Sequence, residues 1–252
     1  MVIDAHMHFD IPLKAGVDEA RRVMEQELEL MAEAGVDGAT GSLIEPLRCN
    51  CVAHSEYNDF FAATSRGFAG RFWPWCVVNP LDDDAADEIR RCYEVLGIKA
   101  LKLHPWLQGF SCSDDYCNPV FEVCAELGMP INLHDGSPPY SATAGCGEVA
   151  RRYPEAKVVL AHAGLNDQWR QARDLACELP NIYLTMSGPS MLAMQSIVDN
   201  VAADRIMYGS DYGAGGVSLI HYRLDKIKQL EMDDDTRRMV LGETALRLLG
   251  AK

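Results

Sequence analysis

A chain of 252 residues with a formal net charge of −14 lacks the basic footprint that nucleic-acid binding requires, and anionic lipid repels it. It is 48% hydrophobic and 24% charged, the balance of a globular domain with a sizeable core rather than of a disordered chain. No apolar run is long enough to span a bilayer and no secretory pattern opens the chain, so the expectation is a cytoplasmic protein.

The first apolar run, at 2–7, reads as a strand. After it, Val17, Ala20, Met24, Leu28, Met31 and Ala34 recur every three or four residues, the stripe of an amphipathic helix. Gly35 fits the end of that helix and a second strand follows at 36–44. A third strand is expected at 72–78. The stretch "LDDDAADEIRRCYEVLG" then has acidic residues at its start, an apolar stripe and a closing glycine, Gly97. A fourth strand follows at 98–103, and "FSCSDDYCNP" (110–119) reads as a lid or a helix start, with Asp114 and Asp115 as N-terminal helix charges. Gly128 repeats the pattern before a fifth strand at 131–134, and further strands are expected at 157–161, 182–186 and 206–208. Short apolar strands suit a sheet covered on both faces. Eight of them alternating with helices indicate a single α/β domain over 1–252, a (β/α)8 TIM barrel. The alternative is an open doubly wound sheet, but no dinucleotide fingerprint follows the first strand, and the Gly-rich "GAGGV" (213–217) comes after the last. Nine scattered cysteines, with neither Cys49/Cys51 nor Cys112/Cys117 at zinc or redox spacing, read as free thiols of a reducing compartment.

Five of seven histidines fall at C-terminal strand ends: His6 and His8 on the first, His104 on the fourth, His134 on the fifth and His162 on the sixth. His54 and His221 fall in helical stretches. Asp211, in "IMYGSDY", stands at the same level after the eighth strand. In a barrel these ends converge on one mouth, where catalytic groups sit. Taken singly, His134 reads equally as a hydrogen-bonded core residue, and Asp211 as the aspartate of a turn. Taken together, three imidazoles and a carboxylate suit a borderline divalent ion such as zinc. In "KALKLHP", Lys102 and His104 share one strand face. Lys102 reads either as a lysine reaching to the rim or as an ammonium that binds a substrate carboxylate. Glu45, Arg48, Trp106, Ser137 and Ser187 also follow strand ends. Trp106 suits the floor of an apolar pocket, and Arg48 with Lys102 favours an anionic small-molecule substrate. Each of these has a purely structural reading too.

The whole pattern resembles the amidohydrolase superfamily, and most closely its amidohydrolase-related (amidohydrolase 2) branch of metal-dependent hydrolases and decarboxylases. "IDAHMHF", "GRFWPWCVVNP", "GIKALKLHP", "INLHDG", "LAHAG" and "YGSDY" are similar to that branch's first, third, fourth, fifth, sixth and eighth strands. "LGETALRLLG" (241–250) is similar to its closing helix, with Thr244 where asparagine is usual. The resemblance implies a distorted barrel with a metal at the C-terminal mouth, held by His6, His8, His134 and Asp211. It also implies Asp211 as the base that takes a proton from metal-bound water. His162 matches a residue that polarises substrate or binds a second metal, and a carbamylated Lys102 is a third reading, as a bridge between two metals. One ion, zinc before manganese or another divalent ion, is the expectation. Metal-activated water with Asp211 as general base, and His162 or His104 against the oxyanion, suits hydrolysis of a small amide, ester or lactone. The alternative is non-oxidative decarboxylation of a small aromatic or enoic acid. A non-catalytic binding barrel is a third reading, against which the intact ligand set argues. Exposed barrel helices leave homo-oligomerisation open.

Overall fold

The computed structural model describes residues 1–49, 52–213 and 216–251. Among these residues nine parallel strands follow one another in two sheets: β1 (Ile3–Phe9), β2 (Gly38–Leu43) and β3 (Phe72–Pro74), then β4 (Cys76–Val77), β5 (Leu101–Leu103), β6 (Ile131–Leu133), β7 (Val158–Leu160), β8 (Ile182–Thr185) and β9 (Ile206–Met207). The expected third strand is thus broken. Pro74 has no N–H to continue the ladder, and Trp75 N donates to Gly41 O at 2.8 Å while Cys76 N donates to Ala100 O at 2.9 Å. The chain steps from one neighbour to the other across Trp75, whose indole Nε1 turns in to bond Thr40 Oγ1.

Hydrogen bonds from Ala5 N to Tyr208 O (2.9 Å), Asp211 N to His6 O (2.8 Å) and His8 N to Tyr212 O (2.8 Å) join β1 to the residues at and after the end of β9. With β3 and β4 sharing one position, eight strand positions close into a ring, a distorted (β/α)8 barrel, and the open sheet is excluded.

Helices cover the outside. Val17–Glu33 buries Ala20, Met24, Leu28 and Met31, four of the residues in the stripe read from the sequence. They pack on Met7 and Phe9 in the layer between barrel and helices, each large side chain stabilising the fold by about 1.5–3 kcal/mol. Gly97 and Gly128 end their helices at φ 75° and 62°. The 110–119 stretch is a helix start: a short 3-10 turn, Asp115–Cys117, runs straight into the helix Asn118–Leu127. Inside the ring, Ile3, Ala5, Trp75, Ala100, Val159 and Met207 form an apolar plug, so the polar side chains nearer the C-terminal strand ends are walled off from the opposite face.

Among the described residues, no helix is long and apolar enough to cross a membrane. Among the described residues seven cysteines carry free thiols, whereas Cys49 is disulfide-bonded, a departure from the expectation of free thiols throughout. Cys51, and Ala214 and Gly215 of the Gly-rich stretch, lie outside the described residues.

Candidate active site

Side chains alternate along a strand, so Leu101, Leu103, Ile131, Leu133, Val158 and Leu160 face the helices and the intervening positions face the barrel axis. Lys102 and His104, Asn132 and His134, and His162 are the axial residues that result. His6 and His8 come from β1, where the pairing register with β2 shifts between Asp4 and Met7. Asp211 follows β9 in a left-handed conformation (φ 59°), which aspartate tolerates better than most residues. Gly209, two residues earlier, leaves room for the first histidine: a Cβ there would lie 2.3 Å from Thr185 Cγ2 and 3.0 Å from His6 Cβ.

His6, His162 and Asp211 meet most closely, with one ligand atom from each within 4.8 Å of the others. His6 Nε2 is 3.4 Å from Asp211 Oδ1 and His8 Nε2 is 3.9 Å from the same oxygen. His8 Nδ1 rests 3.1 Å from Ser42 Oγ. His134 is drawn aside: its Nδ1 is 2.8 Å from His162 Nε2 and its Nε2 is 3.0 Å from Ser137 Oγ. The close group therefore contains His162, while His8 and His134 flank it. His104 stacks on His134 with ring centroids 3.7 Å apart, and its Nδ1 accepts from Leu107 N at the start of the helix Pro105–Gln108.

Ser187 sets the state of His162. Its hydroxyl donates to Ala161 O at 2.8 Å, so the proton in its 2.8 Å contact with His162 belongs to Nδ1. His162 Nε2 then carries the lone pair, facing the other imidazoles.

The remaining candidates are placed as follows. Lys102 is 2% exposed and donates from Nζ to Asn132 Oδ1 at 2.9 Å, so it does not reach to the rim. Arg48 is on the surface, 3.8 Å from Asp10. Glu45 accepts from Leu13 N at 2.8 Å, a loop-fixing role. Trp106 is 54% exposed, so it floors no pocket, and its N–H is tied to Ser141 Oγ. His54 is held by Asp82 and Pro46 O on an acidic cleft of about 500 Å³ that shares no residue with the histidine cluster. His221 lies in the helix Val217–Gln229.

Burial dominates the electrostatics. It lowers His6 to about 4, with Lys102 adding repulsion, and carries His8, His104, His134 and His162 well below the usual histidine range. Burial also lowers Lys102 to about 7. Burial alone would raise Asp211, but His6 at its oxygen and the imidazoles of His162 and His8 outweigh it and hold the carboxyl well below the usual carboxylate range. At neutral pH the site presents neutral imidazoles around an anion. His6 Nε2 is buried without a hydrogen-bond partner. An orphaned ring nitrogen beside an ionised carboxylate is the donor chemistry of a divalent cation, so these residues fit one.

The same shifts predict acid sensitivity of the metal-stripped protein. Five imidazoles titrate lower in the folded state than their usual 6.5, so below that pH the unfolded chain binds more protons and acidification destabilises. Asp4 and Glu27, raised to about 7 by burial, and Asp135, raised to about 6, bind protons in the folded state first and offset three of the five. The net of about two protons gives a loss of roughly 3 kcal/mol per pH unit near pH 5. Urea midpoints measured between pH 7 and 4.5 check it; a flat profile would contradict neutral, buried imidazoles.

A closed parallel barrel with this cluster at the C-terminal mouth sets a donor group for a divalent ion where barrel enzymes keep their catalytic residues. The family model described as Amidohydrolase matches residues 3–251, and the chain belongs to that family. It is 24% identical over 209 residues to 2-amino-3-carboxymuconate-6-semialdehyde decarboxylase of Dictyostelium discoideum, a match that covers 67% of this chain and 58% of that protein. Among solved structures it is similar to 5-carboxyvanillate decarboxylase of Sphingomonas paucimobilis (TM-score 0.78, 17% identity, 100% and 99% of the two chains). It is similar also to a dihydroxybenzoic acid decarboxylase of Polaromonas sp. JS666 with bound manganese and the inhibitor 2-nitroresorcinol (TM-score 0.74, 18% identity, 99% and 96%).

Asn132, Ser42 and Asp135 escaped the sequence reading. Asn132 shares the axial face with His134, and that alternation was its only signal.

Proposed function

We propose that the protein is a metal-dependent non-oxidative decarboxylase of a small aromatic or enoic acid. This prefers the alternative over the expected hydrolase. The observation that carries it is the curated relative, itself a decarboxylase, matched over two-thirds of this chain. The charge pattern supports it. Lys102 is a buried amine with no carboxylate at ion-pair distance among the described residues, a floor suited to an acid. The other buried carboxylates near the mouth, Asp4 and Asp135, are turned to backbone N–H groups and hydroxyls.

His6 and Asp211 would hold the ion together with His162, or with His8 and His134 after ring rotation; zinc and manganese both suit the set. A divalent cation bound there would supply positive charge, which favours an anionic substrate and the negative charge that develops as carbon dioxide departs. Asp211 would relay the proton: an anionic substrate alongside raises its affinity for one, it takes that proton from solvent water, and it delivers it to the carbon as the bond to carbon dioxide breaks, regaining its charge. His162, fixed by Ser187, keeps its Nε2 lone pair inward, where it orients the acid's polar groups when His8 and His134 complete the ligand set. His104 stacked on His134 supplies a flat wall for a planar substrate.

A panel of hydroxybenzoates and enoic acids, with matched amides, esters and lactones, tests this in deuterium oxide with the zinc- or manganese-loaded protein. The expected products are carbon dioxide and an acid-free product with one deuterium at the vacated carbon. Turnover of the amides, esters or lactones alone would reinstate the hydrolase.

A further inference from the structure

Asp135 directly follows His134, is fully buried and forms no ion pair among the described residues. Its carboxylate binds two segments of the mouth. Oδ1 accepts from His162 N at 2.7 Å, and Oδ2 accepts from Gly164 N at 2.7 Å and from Thr143 Oγ1, at the start of the helix Thr143–Arg152, at 3.2 Å. The first two are short, charge-assisted bonds. They grip a turn of rare conformation: Ala163, Gly164 and Leu165 are left-handed in succession, with φ of 44°, 81° and 52°. A Cβ on Gly164 would lie 2.4 Å from Gln168 C and O, so the turn is also packed tightly from below. Two of its three residues are not glycine, and such a backbone persists only where its surroundings over-determine it.

We infer that Asp135 is a positioning residue for His162. Its carboxylate sets the backbone of His162, Ser187 Oγ sets the ring by accepting from Nδ1–H, and the two together aim Nε2 inward. The inference rests on the reading of His162 as a group that orients substrate. A carboxylate is needed here because both of its oxygens must accept. An amide in the same place turns one of them into a donor facing His162 N–H or Gly164 N–H, and two donors repel.

The test is Asp135→Asn, read in two ways. In the metal-free protein, ¹⁵N NMR of the imidazoles should show His162 as the single Nδ1–H tautomer in the wild type and as a mixture in the variant. In the metal-loaded protein, kcat for decarboxylation should fall about a hundredfold with KM within about threefold. Thr143→Val, which removes only the 3.2 Å bond, is the second variant: a partial tautomer shift and a kcat loss of about threefold to tenfold are expected. A folded Asp135→Asn protein with the wild-type tautomer and wild-type kcat overturns the inference. If Asp135→Asn does not fold, an unchanged tautomer in Thr143→Val overturns it instead. The NMR arm needs no substrate, so finding no decarboxylase activity leaves that arm able to support or overturn the role of Asp135 separately.

Discussion

Asp211→Asn is expected to lower kcat for decarboxylation by about three orders of magnitude, the middle of the range for a positioned proton-transfer group. The substitution keeps the shape of the side chain and the left-handed backbone, since asparagine tolerates that conformation as well as aspartate. It removes the only carboxylate in the close His6–His162–Asp211 group, 3.4 Å from His6 Nε2 and 3.9 Å from His8 Nε2. The amide can neither carry the proton nor balance the charge of a divalent ion, so both proton delivery and metal affinity suffer. Steady-state kinetics at saturating zinc or manganese separate the two effects: the loss should persist when added metal restores occupancy. A rate within tenfold of the wild type would take Asp211 out of proton transfer.

His6→Ala is expected to empty the site. His6 is 3% exposed and, among the described residues, its Nε2 makes no hydrogen bond, its nearest carboxylate being Asp211 at 3.4 Å. Replacing a group that merely supports a ligand costs about 10–100-fold in metal affinity, and replacing a ligand itself costs more. The dialysed variant should therefore retain less than about a tenth of the wild-type metal by elemental analysis, with activity lost in proportion. The barrel should survive, because the plug of Ile3, Ala5, Trp75, Ala100, Val159 and Met207 does not involve the imidazole. His54→Ala provides the contrast: its ring is held by Asp82 and Pro46 O away from the cluster, and the variant should keep its metal. Equal metal content in His6→Ala and the wild type would move the cation elsewhere.

Much of this was readable before the fold. The stripe of the helix Val17–Glu33, the helix-closing Gly97 and Gly128, and the placing of five histidines at strand ends follow from local periodicity and from where a parallel barrel puts its C-terminal edge. The break at Trp75 was not readable, because periodicity reports a strand and not its partner; Pro74 alone hinted at it. The composition of the close group was not readable either. His134 and His162 both point inward, and which one approaches Asp211 depends on ring rotations set by Ser137 and Ser187. Asp135 was hidden for a different reason: "HDG" reads as a turn, and the carboxylate's partners lie 27 and 29 residues away. Arg48 read as an anion-binding residue from its place after the second strand, but a short helix, Glu45–Arg48, carries it to the surface.

The most direct measurement is carbon dioxide release from a small hydroxybenzoic or enoic acid, followed on one preparation through chelation and reloading. Release by the zinc- or manganese-loaded protein, its disappearance on stripping the metal and its return on adding the ion back are the predicted results. Release that continues undiminished after the metal is removed would contradict a metal-dependent decarboxylase built on His6, His162 and Asp211.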